Sequence, residues 1–147
     1  MDLRELILTR RTVHSYRPEP VADALVTEAL ALSLWAPNHK LTYPWIYTWI
    51  GPVARGRLAE LAVSLKSAKE GALGAVKEKA VREALLNPAH LIALGVRRSN
   101  AFGEHEDYAT LSCSVQIASQ FLWSRGVASK WSTAGWSTHA DTYSIWV

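Results

Sequence analysis

The residues with most chemistry to offer form one short run, Thr9-Arg10-Arg11-Thr12-Val13-His14-Ser15-Tyr16, in which two arginines and a histidine alternate with hydroxyl side chains. A guanidinium presents a planar fork of donors that matches a phosphate bidentately, and Thr12 and Ser15 can each add a hydroxyl. The chemistry this composition asks for is anion binding; the plainer alternative is a solvated turn. A second run, Trp35-Ala36-Pro37-Asn38-His39-Lys40-Leu41-Thr42-Tyr43-Pro44-Trp45, is a polar loop between tryptophans and stiffened by prolines, the kind of segment that often carries function. A third, Trp131-Ser132-Thr133-Ala134-Gly135, is a small-residue loop that lets a ligand come close to the backbone. Seven tryptophans are available overall, as core, as interface anchors or as walls for a flat ligand.

Other chemistries find less support. The lone Cys113 forms no internal disulfide and reads as a buried or half-buried filler in a helical pattern, and the five histidines show no ligand spacing, so no metal is expected. The net charge of +3 is spread along the chain, with only Arg97-Arg98 and Arg55-Gly56-Arg57 as small local pairs, which argues against a nucleic-acid partner. No window approaches the ~20 apolar residues of a membrane span, and Asp2, Arg4 and Glu5 stand where a signal peptide needs an apolar run. The expectation is a cytoplasmic protein without a membrane partner. With 147 residues and 49% hydrophobic side chains, residues 1–147 read as one domain. A chain this long buries roughly 70% of its unfolded surface.

The elements that must position these runs follow from periodicity. Leu3, Leu6 and Ile7 repeat at i, i+3, i+4, so residues 2–9 read as a short helix whose buried face fixes where the arginines emerge. Pro18 and Pro20 then forbid a helix, and residues 22–34 read as a buried core helix. Residues 45–50 are β-prone and closed by Gly51-Pro52, with Trp45 and Trp49 read as core and Tyr47 on the opposite face. Helices are expected at 53–67 and 72–86, a strand at 90–96, and a polar loop at 97–103. A long helix at 104–123 ends where Gly126 suits a left-handed cap, and a short strand is expected at 127–131. Residues 136–147 are ambiguous.

In order and spacing these motifs resemble the nitroreductase family of flavin-dependent oxidoreductases, in particular its short single-domain branch. Arg10-Arg11-Thr12, with Tyr16 to Pro20 after it, is similar to the family's N-terminal R-R-[ST] phosphate motif. Ala36-Pro37-Asn38-His39-Lys40 with Pro44-Trp45 resembles its A-P-[SDN]-H-K…Q-P-W loop, and Lys130-Trp131-Ser132-Thr133 resembles the W-R-[ST] segment after the long helix. The fold this resemblance implies is α+β, a central mostly antiparallel sheet flanked by helices, in a homodimer with FMN at the subunit interface. It also implies that Arg10, Arg11 and Thr12 hold the FMN phosphate and ribityl chain, that Trp131, Ser132 and Thr133 add contacts, and that His39 comes from the partner's loop. Trp35 stands where the short branch often has an arginine, so its contact would be stacking or shape. Tyr43 replaces a glutamine, and Leu41 lies where longer members place an asparagine facing the flavin ring. Phe121, Leu122, Trp123, Ser124, Arg125 and Gly126 match the region that approaches the nicotinamide nucleotide.

A reduced flavin carries negative charge that a nearby cation stabilises, and Arg11, His14 and Lys130 are the candidates. No protein side chain is expected to be catalytic in the covalent sense. The reaction the resemblance implies is ping-pong: NADH or NADPH reduces FMN and departs, and a small quinone or nitroaromatic acceptor is then reduced. The family normally continues for several tens of residues past the position of Val147, with a further strand and an extension onto the other subunit. Without them a sheet edge would be exposed, so weakened flavin affinity is expected. A cofactor-poor, inactive dimeric remnant or binding protein is the alternative reading, and a family member turned to flavin destruction or reductive dehalogenation is another.

Overall fold

The computed structural model describes residues 2–97 and 101–146. Contacts among them divide the chain into two units, the first made of residues 1–13, 20–48 and 93–131, the second of residues 14–19, 49–92 and 132–147.

In the first unit, helix α1 (Leu3–Thr9) begins at Asp2, whose carboxylate accepts the Glu5 backbone N–H at 2.8 Å and so satisfies one of the donors a helix start leaves free. The expected buried face is largely absent: Leu3 and Ile7 are 67% and 54% exposed, and only Leu6 is half-buried. A two-turn helix resting on one neighbour half-covers one of its four apolar side chains.

Helix α2 (Asp23–Ser33) and the helix numbered α5 in chain order (Ala101–Ser124) form the centre of this unit. Helix α2 buries Val26, Ala29 and Ser33; α5 buries Asp107, Thr110, Leu111, Ser114, Val115 and Ala118, a stripe at the i, i+3, i+4 spacing of one helix face. Small residues on both sides let the helices approach closely. Helix α2 is buried on that stripe alone, with Leu32 exposed on the helix and Leu34 just past it, where an all-round core helix was expected. Strand β1 (Trp45–Trp49) sends Tyr47 inward, where its hydroxyl lies 2.9 Å from Ser33 Oγ and also bonds Ser114 Oγ. Positions two apart share a strand face, so Tyr47 lies on the face of Trp45, not opposite it, and Trp49 is 43% exposed. Cys113, expected as filler, is exposed because it stands about 200° around α5 from Leu111, off the buried stripe.

Strand β2 (Ile92–Val96) is the neighbour of β1 in a two-stranded sheet. Arg97 N–H donates to Pro44 O at one end and Ile50 N–H to Leu91 O at the other, which fixes an antiparallel register. The strand expected at 127–131 does not form as such: its sole pairing among the described residues is an isolated parallel bridge from Ser129 to Thr12. The polar loop expected at 97–103 includes residues 98–100, which lie outside the described residues.

In the second unit, α3 (Pro52–Glu70), opened by Pro52, packs on α4 (Ala75–Leu86) through Leu58, Ala59, Ala62, Val63 and Leu85. Val76 near the start of α4 is 86% exposed. The ambiguous C-terminal stretch is a 3-10 turn at Gly135–Thr138 and helix α6 (Ala140–Trp146), both against α3. Arg55 secures the chain ends of this unit by donating to the carbonyls of Ile50, Pro88 and Ala89; partial burial lowers its pKa below the usual guanidinium value.

Candidate functional site

The site is built where α1 and α5 end together. Trp123 Nε1 donates to Thr9 Oγ1 at 3.2 Å, which ties the last turn of α5 to the last residue of α1. Helix α5 stops at Gly126, whose φ of +76° is the left-handed conformation a helix cap needs; Val127 N–H donates back to Leu122 O at 2.9 Å. The chain then runs beside the residues that follow α1. Thr12 and Ser129 form a parallel bridge, and Val13 N–H donates to Ser129 O. Arg10, Arg11 and Thr12 are thereby brought alongside Lys130 and Trp131, within one unit.

The electrostatics of this meeting point are one-sided. Within the first unit, neither residues 9–13 nor residues 127–131 contain an acid, and Arg10, Arg11 and Lys130 are all present. Arg11 Nη1 donates to the carbonyls of Leu8 and Arg10 at 2.7 and 2.9 Å, which fixes the guanidinium at the carbonyl end of α1. Thr12, Lys130 and Trp131 are exposed. An anionic group fits this donor set, and Trp131, 46% exposed, offers a flat apolar surface next to it. Arg125 lies over the Phe121 ring, 5.2 Å from its centroid, so within the Phe121–Gly126 turn that cation already faces an aromatic partner.

Trp35 and His39 lie elsewhere. Trp35 follows α2 and is 85% exposed. His39 Nδ1 lies 3.0 Å from Glu106 Oε1 near the start of α5. Seventeen positions of α5 separate Glu106 from Trp123, about 25 Å of helix axis. His39 and the Arg10 run therefore stand at opposite ends of one helix in a single copy of the chain. His14, Ser132 and Thr133 belong to the second unit, as does Tyr16, whose phenol burial pushes above its usual pKa and so keeps protonated.

The loop that carries His39 has its own bonding. Asn38 Oδ1 accepts Tyr43 N–H at 2.9 Å, Asn38 Nδ2 donates to Thr42 Oγ1, and Thr42 Oγ1 donates to the buried Asp107. Lys40, Leu41 and Tyr43 all have positive φ, at a cost of about 1–2 kcal/mol each for residues with a side chain. Glu106 and Asp107 were not singled out by the sequence; two consecutive acids one turn into a long helix are the only signal they give. A cleft of about 340 Å³ is lined, among the described residues, by Val96, Glu104, His105 and Tyr108. Among the described residues no group of His, Cys, Asp and Glu could hold a metal ion, and no helix is long and apolar enough to cross a membrane.

A fold of α1–β–α5 type with a cationic crossing at the end of its long helix defines the class. The sequence model of the nitroreductase family, matching residues 7–135, makes it specific, and the chain belongs to the nitroreductase family. Its relatives include YfhC of Bacillus subtilis, named as an NAD(P)H nitroreductase, which is 23% identical over 131 residues spanning 88% of this chain and 68% of that protein. Among solved structures, a nitroreductase-like family protein from Bacillus cereus superposes with a TM-score of 0.81 at 23% identity, covering 99% of this chain and 76% of the other. The FMN-dependent nitroreductase NfnB from Mycobacterium smegmatis, solved with NADPH, gives 0.73 at 22% identity, covering 95% and 78%. These superpositions agree with the α+β architecture, and the α5 helix and the two strands that the sequence reading anticipated belong to that shared fold.

Proposed function

We propose that residues 1–147 act as one nitroreductase-like domain of a cytoplasmic, FMN-dependent NAD(P)H oxidoreductase that reduces quinone or nitroaromatic-type acceptors by a ping-pong route. The observation that carries this reading is the Thr12–Ser129 bridge, which sets Arg10-Arg11-Thr12 beside Lys130-Trp131 with no acid in either segment. Arg10, Arg11 and Thr12 would hold the cofactor phosphate and ribityl chain, and Trp131, Ser132 and Thr133 would add contacts. Bound FMN would supply the hydride chemistry, taking reducing equivalents from NADH or NADPH and delivering them to the acceptor. The chain's own task is to bind, to orient and to place positive charge near the reduced ring, with Arg11, His14 and Lys130 as its sources.

The homodimer belongs to the same proposal. With His39 about 25 Å of helix from the arginine end, one cofactor meets both sets of residues only if two copies contribute. Large apolar side chains left outward in the first unit, Leu34, Trp35 and Leu41 among them, are the kind of surface a second copy covers.

Freshly purified protein tests the reading directly. The expected result is flavin absorbance that is retained or restored by added FMN, with NADH or NADPH consumed when a quinone is present. Arg10→Ala and Lys130→Ala should each weaken FMN binding on the order of tenfold, the effect of losing one charged hydrogen bond. Protein that takes up no FMN at any concentration sinks the proposal and leaves an inactive dimeric remnant as the better description.

A further inference from the structure

The loop between Pro37 and Pro44 holds an unfavourable backbone, and its bonding to α5 accounts for how it is held. Lys40, Leu41 and Tyr43 have φ of 58°, 51° and 48°, a region that residues with a Cβ seldom adopt without support. Asn38 closes the loop on itself through Tyr43 N–H and the Thr42 hydroxyl. Two consecutive acids of α5 then hold it at two points: Glu106 accepts at His39 Nδ1, 3.0 Å away, and Asp107 accepts from the Thr42 hydroxyl. Asp107 is 2% exposed, so this second anchor sits in the packed interior and moves only with the helix. A carboxylate can only accept, so Glu106 selects the His39 tautomer with hydrogen on Nδ1 and leaves Nε2 as an acceptor when the ring is neutral.

We propose that Glu106 and Asp107 are positioning residues: acting through His39 and Thr42, they hold the loop of residues 38–43 with Lys40, Leu41 and Tyr43 left-handed and orient His39 toward the cofactor. The cofactor half of this inference rests on the FMN reading given above; the loop half does not. The two acids stand about 25 Å of helix axis from the arginine end of α5, and they act by removing the freedom of a loop that would otherwise relax to ordinary backbone angles.

Two measurements separate the halves. In FMN-free protein, the rate of tryptic cleavage after Lys40, followed by mass spectrometry, reports release of the loop. Glu106→Gln and Thr42→Val, both at positions that are not fully buried, should each speed that cleavage on the order of tenfold, whereas Thr42→Ser keeps the hydroxyl and should cleave at the wild-type rate. In an FMN titration the same two variants should bind on the order of tenfold more weakly, again with Thr42→Ser unchanged. Cleavage within twofold of wild type in both variants overturns the anchoring role. Faster cleavage with unaltered FMN affinity overturns the orientation of His39 toward the cofactor. Wild-type protein that binds no FMN defeats the cofactor reading instead, and the cleavage series alone then decides whether the acids hold the loop.

Discussion

The two units bury similar small and apolar helix faces but finish their surfaces differently. In the α3–α4 pair the outward side mixes exposed Val53 and Val76 with charges that compensate one another: Arg82 bonds Glu60 at 2.8 and 3.1 Å and Glu78 at 2.9 Å, and Lys77 meets Glu70 at 2.6 Å. In the α2–α5 unit the packed face includes hydroxyls linked through Tyr47, and the outward side carries large apolar groups, with Arg10, Arg11 and Lys130 in stretches of sequence that contain no acid. A surface whose charges are already answered asks for nothing but water. The first unit leaves arginine, lysine and tryptophan at the crossing of residues 10–12 with residues 129–131, which is why the binding proposal centres there.

Substitutions can break or sharpen this contrast. The largest expected effect is at Leu58, fully buried on α3: Leu58→Ala should cost about 2–5 kcal/mol in urea unfolding, because the unit has only apolar packing to lose there. Tyr47→Phe comes next, at about 1–3 kcal/mol, since it strands the buried Ser114 hydroxyl. Adding Ser114→Ala should return part of that loss, as removing both partners leaves no orphan; a further drop of the same size would mean the hydroxyls matter individually. Gly126→Ala should cost about 1 kcal/mol for its left-handed φ, read as a lower melting temperature.

The smallest effect is expected at Arg82. Hydrogen bonds from Arg82 and Lys77 hold the Glu60 and Glu70 carboxyls below the usual range, and Arg82 is itself pushed up by Glu60 and Glu78. A depressed carboxyl stabilises the fold above its ordinary pKa and loses that contribution as pH falls through its folded value. Arg82→Gln should therefore differ from wild type slightly near neutral pH and in low salt, and the two should converge as acid protonates Glu60 or as salt screens the pair. A gap that persisted in acid would assign Arg82 a packing role instead.

Much of this arrangement was legible in the residue order. The phase of α5 is written in Leu111, Val115 and Ala118, and its end in Gly126; the arginine run was readable as an anion-binding candidate and residues 131–135 as a small-residue loop that a ligand can approach. What brings them together was not legible, because a parallel bridge between positions 12 and 129 leaves no local pattern in either segment. For the same reason residues 127–131 read as a strand: β-propensity describes what a segment tolerates, and a ladder needs a neighbour along its whole length. Leu3 and Ile7 misled because amphipathic spacing gives a face without saying whether anything covers it. Glu106, Asp107, Ser33 and Ser114 passed unnoticed since each acquires its role from a partner tens of positions away, apart from Ser33, whose partner Tyr47 is still a strand distant.

The exposed Cys113 has a practical consequence. It is the one thiol in the sequence and it sits midway along α5, on the side away from α2. A nitroxide or fluorophore attached there marks each copy at a single known point on its longest rod. If two copies associate, their labels report one separation, and that number would orient the rods relative to each other without any crystal.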